Sequence, residues 1–194
     1  MRYATDIVVI DLEATCPPED RGNNTVERSS IIEIGAVRVH RRSLEIVETF
    51  SELVRPVDYP IVPFITEITG ITAEMVAESD TFAAVGPRFL EWYGPRNRAI
   101  LAAFGAYYDV PMLRKECDRF GIDFRSHVVG GAYDIRALGL AWLAEHEHRT
   151  SGITLPGILE KMGLADRFTA HRAVEDARAA AAILQMFHLG RALT

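Results

Sequence analysis

The chain has 194 residues, 27 acidic against 21 basic side chains, a formal net charge of -6, 48% hydrophobic composition and two cysteines. That composition excludes a disordered chain, a collagen-like repeat and a disulfide scaffold. A chain of this length buries roughly 70% of the surface its unfolded form exposes, so residues 1–194 are expected to form a single domain. The negative charge argues against coating nucleic acid by bulk electrostatics but leaves a local basic groove open.

In chain order, Asp6 to Leu12 (D-I-V-V-I-D-L) is a short β-branched run that suits a strand buried on both faces. Residues Pro17 to Arg28, with two prolines, Gly22 and Asn23-Asn24, read as an irregular loop. Ile31 to His40 and Glu45 to Val54 are two further strand-like runs joined by a basic turn, which predicts a hairpin. Prolines 56, 60 and 63 then mark a turning segment, and Thr72 is placed to cap a short helix reaching Glu78. The next helix, from Asp80 or Thr81, carries Phe82, Val85, Phe89 and Trp92 at helical spacing, and Gly86-Pro87 should bend or interrupt it.

Ile100 to Phe104 reads as a fourth buried strand, and Asp109 before Pro111 as a helix start that ends at Gly121. Val128 to Tyr133 is a fifth strand candidate, and Asp134 can cap a helix through Ala144. Thr154 opens another helix, and Arg172 to Leu189 is an alanine-rich last one. An early β-meander followed by strands alternating with helices predicts an α/β fold, a mixed sheet flanked by helices. No apolar run approaches the ~18 residues of a membrane span. Met1 to Asp6 also lack the features of a secretory signal, so a cytoplasmic protein with no membrane partner is expected. Cys16 and Cys117 form no C-x-x-C pair and are read as reduced thiols.

Asp11 and Glu13 lie two apart at the end of the first strand, so their carboxylates leave the same side of it. Carboxylate oxygens suit hard divalent cations such as Mg²⁺. Taken alone, the pair is also what a solvated strand end looks like. Asp109 either caps its helix or faces a ligand beyond the strand ends. His171 and Asp176, in H-R-A-V-E-D, would lie ~140° apart on a straight helix at ~100° per residue. They reach one site only if the histidine precedes the helix. Four carboxylates and one histidine together suit two-metal phosphoryl chemistry, in which two cations stabilise the attacking and leaving oxygens and the imidazole takes a proton from water.

Three segments carry a family resemblance: D-L-E-A-T (Asp11–Thr15) with I-I-E-I-G-A-V (Ile31–Val37), F-G-A-Y-Y-D-V-P-M-L (Phe104–Leu113), and A-H-R-A-V-E-D-A (Ala170–Ala177). In this order and spacing the chain resembles the DEDDh 3′-to-5′ exonucleases of the DnaQ-like, ribonuclease H-like superfamily. I-T-E-I-T-G-I-T (Ile65–Thr72) also resembles the family's segment before its helix, and D-L-E-A-T-C, with the pair Tyr108-Asp109, is most similar to the Eri-type RNA exonuclease branch.

The resemblance implies a ribonuclease H-like mixed five-stranded sheet flanked by helices and two Mg²⁺ or Mn²⁺ ions. By the same resemblance, Asp11 bridges both ions, Glu13 and Asp176 hold the ion that activates water, Asp109 reaches the second through water, and His171 is the general base. Ala14 and Thr15 would approach the terminal nucleotide by backbone contacts, and Phe64, Ile68 and Tyr108 are candidates to pack on its bases.

The implied activity is removal of nucleoside 5′-monophosphates from the 3′ end of single-stranded nucleic acid, RNA favoured. Arg55, Arg114, Lys115, Arg167 and Arg172 are candidates to line the approach, and a partner protein would supply further substrate specificity. Alternatives are a DNA exonuclease of proofreading type, a nucleic-acid-binding module without turnover and a two-carboxylate glycosidase.

Overall fold

A computed structural model describes residues 3–17, 25–168 and 172–190 of the protein. Its sheet has five strands, β1 (Asp6–Ala14), β2 (Ile31–Val39), β3 (Ile46–Leu53), β4 (Ala99–Ala103) and β5 (Tyr133–Asp134), in the order β3-β2-β1-β4-β5. The first three strands pair antiparallel as the predicted meander, and β4 and β5 add in parallel on the other side of β1. Seven helices among the described residues surround it: α1 (Pro63–Thr69), α2 (Ala73–Ala77), α3 (Phe82–Tyr93), α4 (Ala106–Arg119), α5 (Ile135–Glu145), α6 (Leu155–Lys161) and α7 (Ala173–Gly190). The mixed sheet flanked by helices is the ribonuclease H-like arrangement that the family resemblance implies.

The central strand divides its side chains between two cores. Val8, Ile10 and Leu12 pack with Val85, Phe89, Leu113 and Cys117 of α3 and α4. Ile7 and Val9 face the other way, onto Ile135 of α5, Ile158 of α6 and Ala177, Ala180 and Leu184 of α7. This period-two alternation places Asp11 and Glu13 in line with Ile7 and Val9, on the α7 side of the sheet. The face that is apolar at the start of β1 thus becomes acidic at its end. Alanines at 173, 177, 180 and 181 let α7 lie close against β1 and β2, and each fully buried Ile or Val beneath it contributes roughly 1.5–3 kcal/mol.

Four elements differ from the sequence expectation. Pro63 opens α1 at its first helical position instead of prolonging a turn, because a proline there forfeits only an N–H that has no intrahelical partner. Helix α3 runs through Gly86-Pro87 uninterrupted. Pro87 lies on the exposed face, and a β-carbon on Gly86 would come within 2.7 Å of the Phe82 ring and 2.9 Å of Ile122. The fifth strand shrinks from Val128–Tyr133 to two residues, since Gly130 at φ +79° turns the chain away from the ladder and Val128 buries its side chain in the α4 core. Finally, α4 starts at Ala106, not at Asp109, with Gly105 at φ +82° before it. Asp109 therefore sits inside the first turn, where its carboxylate is no cap. Cys16 and Cys117 are buried free thiols, and no described helix is long and apolar enough to cross a membrane.

Candidate active site

Three stretches of chain converge at the carboxyl ends of β1 and β4. Asp11, Glu13 and Asp176 each place a carboxylate oxygen within 4.8 Å of the other two. Asp176 enters from the first turn of α7, which begins at Ala173. Asp109 arrives from the first turn of α4, is 7% exposed, and accepts a hydrogen bond from the backbone N–H of Leu12 at 3.2 Å. That bond runs to the strand segment between the two β1 acids, so α4 is pinned to the site by the residue that could otherwise have capped it. The His171 reading lies outside the described residues.

What seats α7 is a pair of β2 residues that the sequence reading quoted without giving them a role. Glu33 lies opposite Glu13 in the ladder and Gly35 opposite Asp11. Glu33 is fully buried, and its carboxylate accepts from Arg172 Nε at 3.1 Å and Nη2 at 2.6 Å and from the backbone N–H of Ala173 at 3.0 Å. A glutamate on the sheet therefore caps α7 in trans, satisfying one of the donors that every helix start leaves open and placing negative charge at its positive end. Gly35 supplies the clearance: a β-carbon there would stand 2.1 Å from the backbone of Ala173 and of Val174. The E-x-G of β2 receives the helix start, and the D-x-E of β1 beside it meets Asp176.

The electrostatics follow from crowding. Burial is the main reason the Asp11 carboxyl is held well above the usual carboxylate range, and the charges of Asp109, Glu13, Asp176 and Glu33 push it the same way. Glu13 is raised to about 8 by burial first and then by Asp176, Glu33 and Asp109, with Arg172 opposing. Burial also raises Asp109, while the Leu12 N–H lowers it. Such a group of hard oxygen donors with too little positive charge around it fits divalent cations such as Mg²⁺ or Mn²⁺.

The other expected residues are placed as follows. Ala14 is buried at the end of β1. Thr15 is fully buried; its N–H donates to the Ser30 carbonyl and its hydroxyl accepts from the Ser30 N–H, both at 2.9 Å. Phe64 packs beside Cys16, Ile32 and Ile65 in a small cluster under α1, and Ile68 on the same helix is exposed. Tyr108 is half-buried against the α3–α4 core. Among the basic candidates, Arg172 is engaged by Glu33, Lys115 donates to the Val26 carbonyl at 2.9 Å, and Arg55 donates to that of Ser79 at 3.2 Å.

Beside the carboxylates lies a cleft of about 470 Å³ lined by Asp11, Asp176, Phe104, Tyr107, Arg136 and the start of α6. Tyr107 and Arg136 were not among the sequence candidates. Tyr107 is the residue beside the favoured Tyr108, and only the rotation of α4 tells which of the two faces the cleft.

A five-stranded mixed sheet with carboxylates gathered at the tips of β1, α4 and α7 defines a nuclease of the ribonuclease H-like class. Residues 8–184 match the family described as RNase_T, exonuclease, and the chain belongs to that family. It is 32% identical over 178 residues to the PolC-type DNA polymerase III of Caldanaerobacter subterraneus subsp. tengcongensis, covering 92% of this chain and 11% of that protein. Human 3′-5′ exoribonuclease 1 is 36% identical over 91 residues, 46% of this chain and 25% of the relative. The chain thus spans only about a tenth to a quarter of these curated relatives. Among solved structures, the nuclease domain of 3′hExo, a DEDDh family member bound to rAMP, superposes with a TM-score of 0.78 at 26% identity, over 97% of this chain and 94% of that one.

Proposed function

We propose that residues 1–194 act as one exonuclease domain that removes nucleoside 5′-monophosphates from the 3′ end of single-stranded nucleic acid, with RNA favoured. The observation that carries this reading is the convergence of Asp11, Glu13 and Asp176, from opposite ends of the chain, within 4.8 Å. Asp11, Glu13, Asp109 and Asp176 would hold two divalent ions, Mg²⁺ or Mn²⁺. Bound there, the ions supply charge stabilisation for the attacking and leaving oxygens of an in-line displacement.

The chain's own residues would do the rest. His171 takes a proton from the attacking water. The water oxygen bonds to phosphorus as the bond from phosphorus to the 3′ oxygen of the preceding nucleotide breaks. The 3′ oxygen takes up a proton from solvent, so the shortened strand leaves with a free 3′ hydroxyl, and the phosphate departs on the 5′ carbon of the released nucleotide. Asp109, tethered to Leu12, keeps α4 registered on β1, and Glu33 does the same for α7. The preference for RNA draws support from the likeness to human 3′-5′ exoribonuclease 1 and to the rAMP-bound nuclease domain. A DNA substrate is the second reading, favoured by the longer match to the PolC-type polymerases.

Matched RNA and DNA strands labelled at the 5′ end test both. With Mg²⁺ or Mn²⁺, a ladder shortening from the 3′ end is expected, faster on RNA, and EDTA should stop it. Asp11→Ala should leave the label at full length, and His171→Ala should lower kcat by roughly 10²–10⁴ with little change in KM. Full-rate digestion by Asp11→Ala or in EDTA overturns the assignment.

A further inference from the structure

The carboxylates mark where the scissile phosphate sits, and a strand must continue on the side opposite the departing nucleotide. Residues assigned above to that terminal nucleotide, among them Ala14, Phe64 and Ile68, belong to the β1 end and to α1, and none of them lines the cleft that holds Asp11 and Asp176. Its other walls are Phe104 just after β4, Tyr107 from the first turn of α4, Arg136 from the first turn of α5, and Ile153 to Pro156 at the start of α6. We infer that this cleft seats the nucleotide preceding the scissile bond, with Tyr107 stacking on its base and Arg136 pairing with its phosphate. The inference rests on the exonuclease reading and extends it to the strand that stays behind.

Several observations support these roles. Tyr107 is 78% exposed, the most exposed of the large apolar side chains among the described residues. An open aromatic face next to a phosphate-handling site offers a platform for any base, since every base has a π-face. Its ring lies over Gly105, where a β-carbon would come within 3.0 Å of Cε1. A glycine at that turn both accepts φ +82° and leaves room for the ring.

Arg136 lines the cleft and has no acidic side-chain partner among the described residues. The two turns are tied together by one carboxylate. Asp134 accepts from the Gly105 N–H at 3.0 Å and from the Arg136 N–H at 2.9 Å. The aromatic ring and the guanidinium thus stand on a common support, and the cleft volume lies within the ~300–1,000 Å³ usual for small-ligand sites.

The test compares a single-stranded oligonucleotide with the p-nitrophenyl ester of thymidine 5′-monophosphate, which has a scissile phosphodiester but no preceding nucleotide. In Tyr107→Ala the ratio of kcat/KM for the oligonucleotide to that for the ester should fall about ten-fold or more, the loss of one base–aromatic stack, while Tyr107→Phe keeps the ratio. In Arg136→Gln, oligonucleotide binding in chelator should weaken, and the slope of log affinity against log salt should shrink by about 0.7, one phosphate contact to a single strand. A ratio unchanged in Tyr107→Ala, or lowered equally in Tyr107→Phe, overturns the stacking role, and an unchanged salt slope overturns that of Arg136. Should the unaltered protein cleave neither substrate, the exonuclease reading fails, and the binding measurement in chelator still decides whether a strand occupies this cleft.

Discussion

Asp11, proposed above as an ion ligand, burdens the fold around it. Its carboxyl is held far above the ordinary range by burial and by the acids around it, so the site is assembled against its own repulsion, which a bound divalent cation would relieve. Replacing Asp11 by Asn removes one member of that repulsion at nearly constant volume. We expect Asp11→Asn to abolish hydrolysis while raising the melting temperature measured in EDTA, at about 2–4 °C per kcal/mol for a chain of this size. Differential scanning calorimetry reads it directly, and a lowered melting temperature would show that the carboxylate stabilises the metal-free fold. The D-x-E spacing was legible in the sequence because period-two geometry puts both side chains on one side of a strand. Asp109 was legible as a functional candidate, with the alternative that it caps its helix; the structure places it inside the first turn of α4. The αL glycine at 105 moves the helix start three residues earlier, and no local propensity competes with that.

At the scale of elements, the decisive contact is α7 on β2. Glu33 and Gly35 set the depth and axis of the helix start, and Asp176 takes its place from them. Gly35→Ala would drive a β-carbon into helix backbone at 2.1 Å, where no side-chain rotamer can relieve the overlap. Helix and sheet must part, and activity should be lost with a destabilisation of roughly 1–3 kcal/mol, typical of overpacking. Glu33→Gln should be milder, because one oxygen can still accept from Ala173 while the ion pair to the partly exposed Arg172 is lost; a drop of about 1–2 kcal/mol is expected. Urea denaturation alongside initial rates separates the cases, and a fully active Gly35→Ala would refute this account of how α7 is seated. Helix α3 carries a related lesson: Gly86-Pro87 reads locally as a break, but Phe82, Val85 and Phe89 bury enough surface to hold the helix through it.

For the molecule as a whole, the acidic cluster links stability to pH and, by the proposed cation binding, to metal. Glu13 binds its proton more tightly folded, at about 8, than at its ordinary value of 4.5. Between those values the folded chain holds a proton that the unfolded chain has released, so the stabilisation is complete below about 4.5 and disappears as pH rises to about 8. In chelator the melting temperature should accordingly carry a downward contribution across that interval. Saturating Mg²⁺ or Mn²⁺ should offset a good part of it, since a ligand at a hundred times its Kd adds about 2.7 kcal/mol. A thermal-melt series from pH 5 to pH 8 with and without cation checks the sign, and metal-insensitive melting would count against a cation site.

Some properties belonged to the sequence alone. The β-branched run of β1, the meander that follows, the alternation with helices and the three acidic motifs establish a mixed sheet and the chemistry class, because these depend on side-chain period and on residue type. Other properties required the tertiary structure. The pairing of Glu33 with the start of α7, the choice of Tyr107 over Tyr108 as the residue facing the cleft, and the shortening of β5 each depend on distances between elements far apart in the chain. Local propensity and periodicity carry no information about those distances; packing two cores against one sheet does.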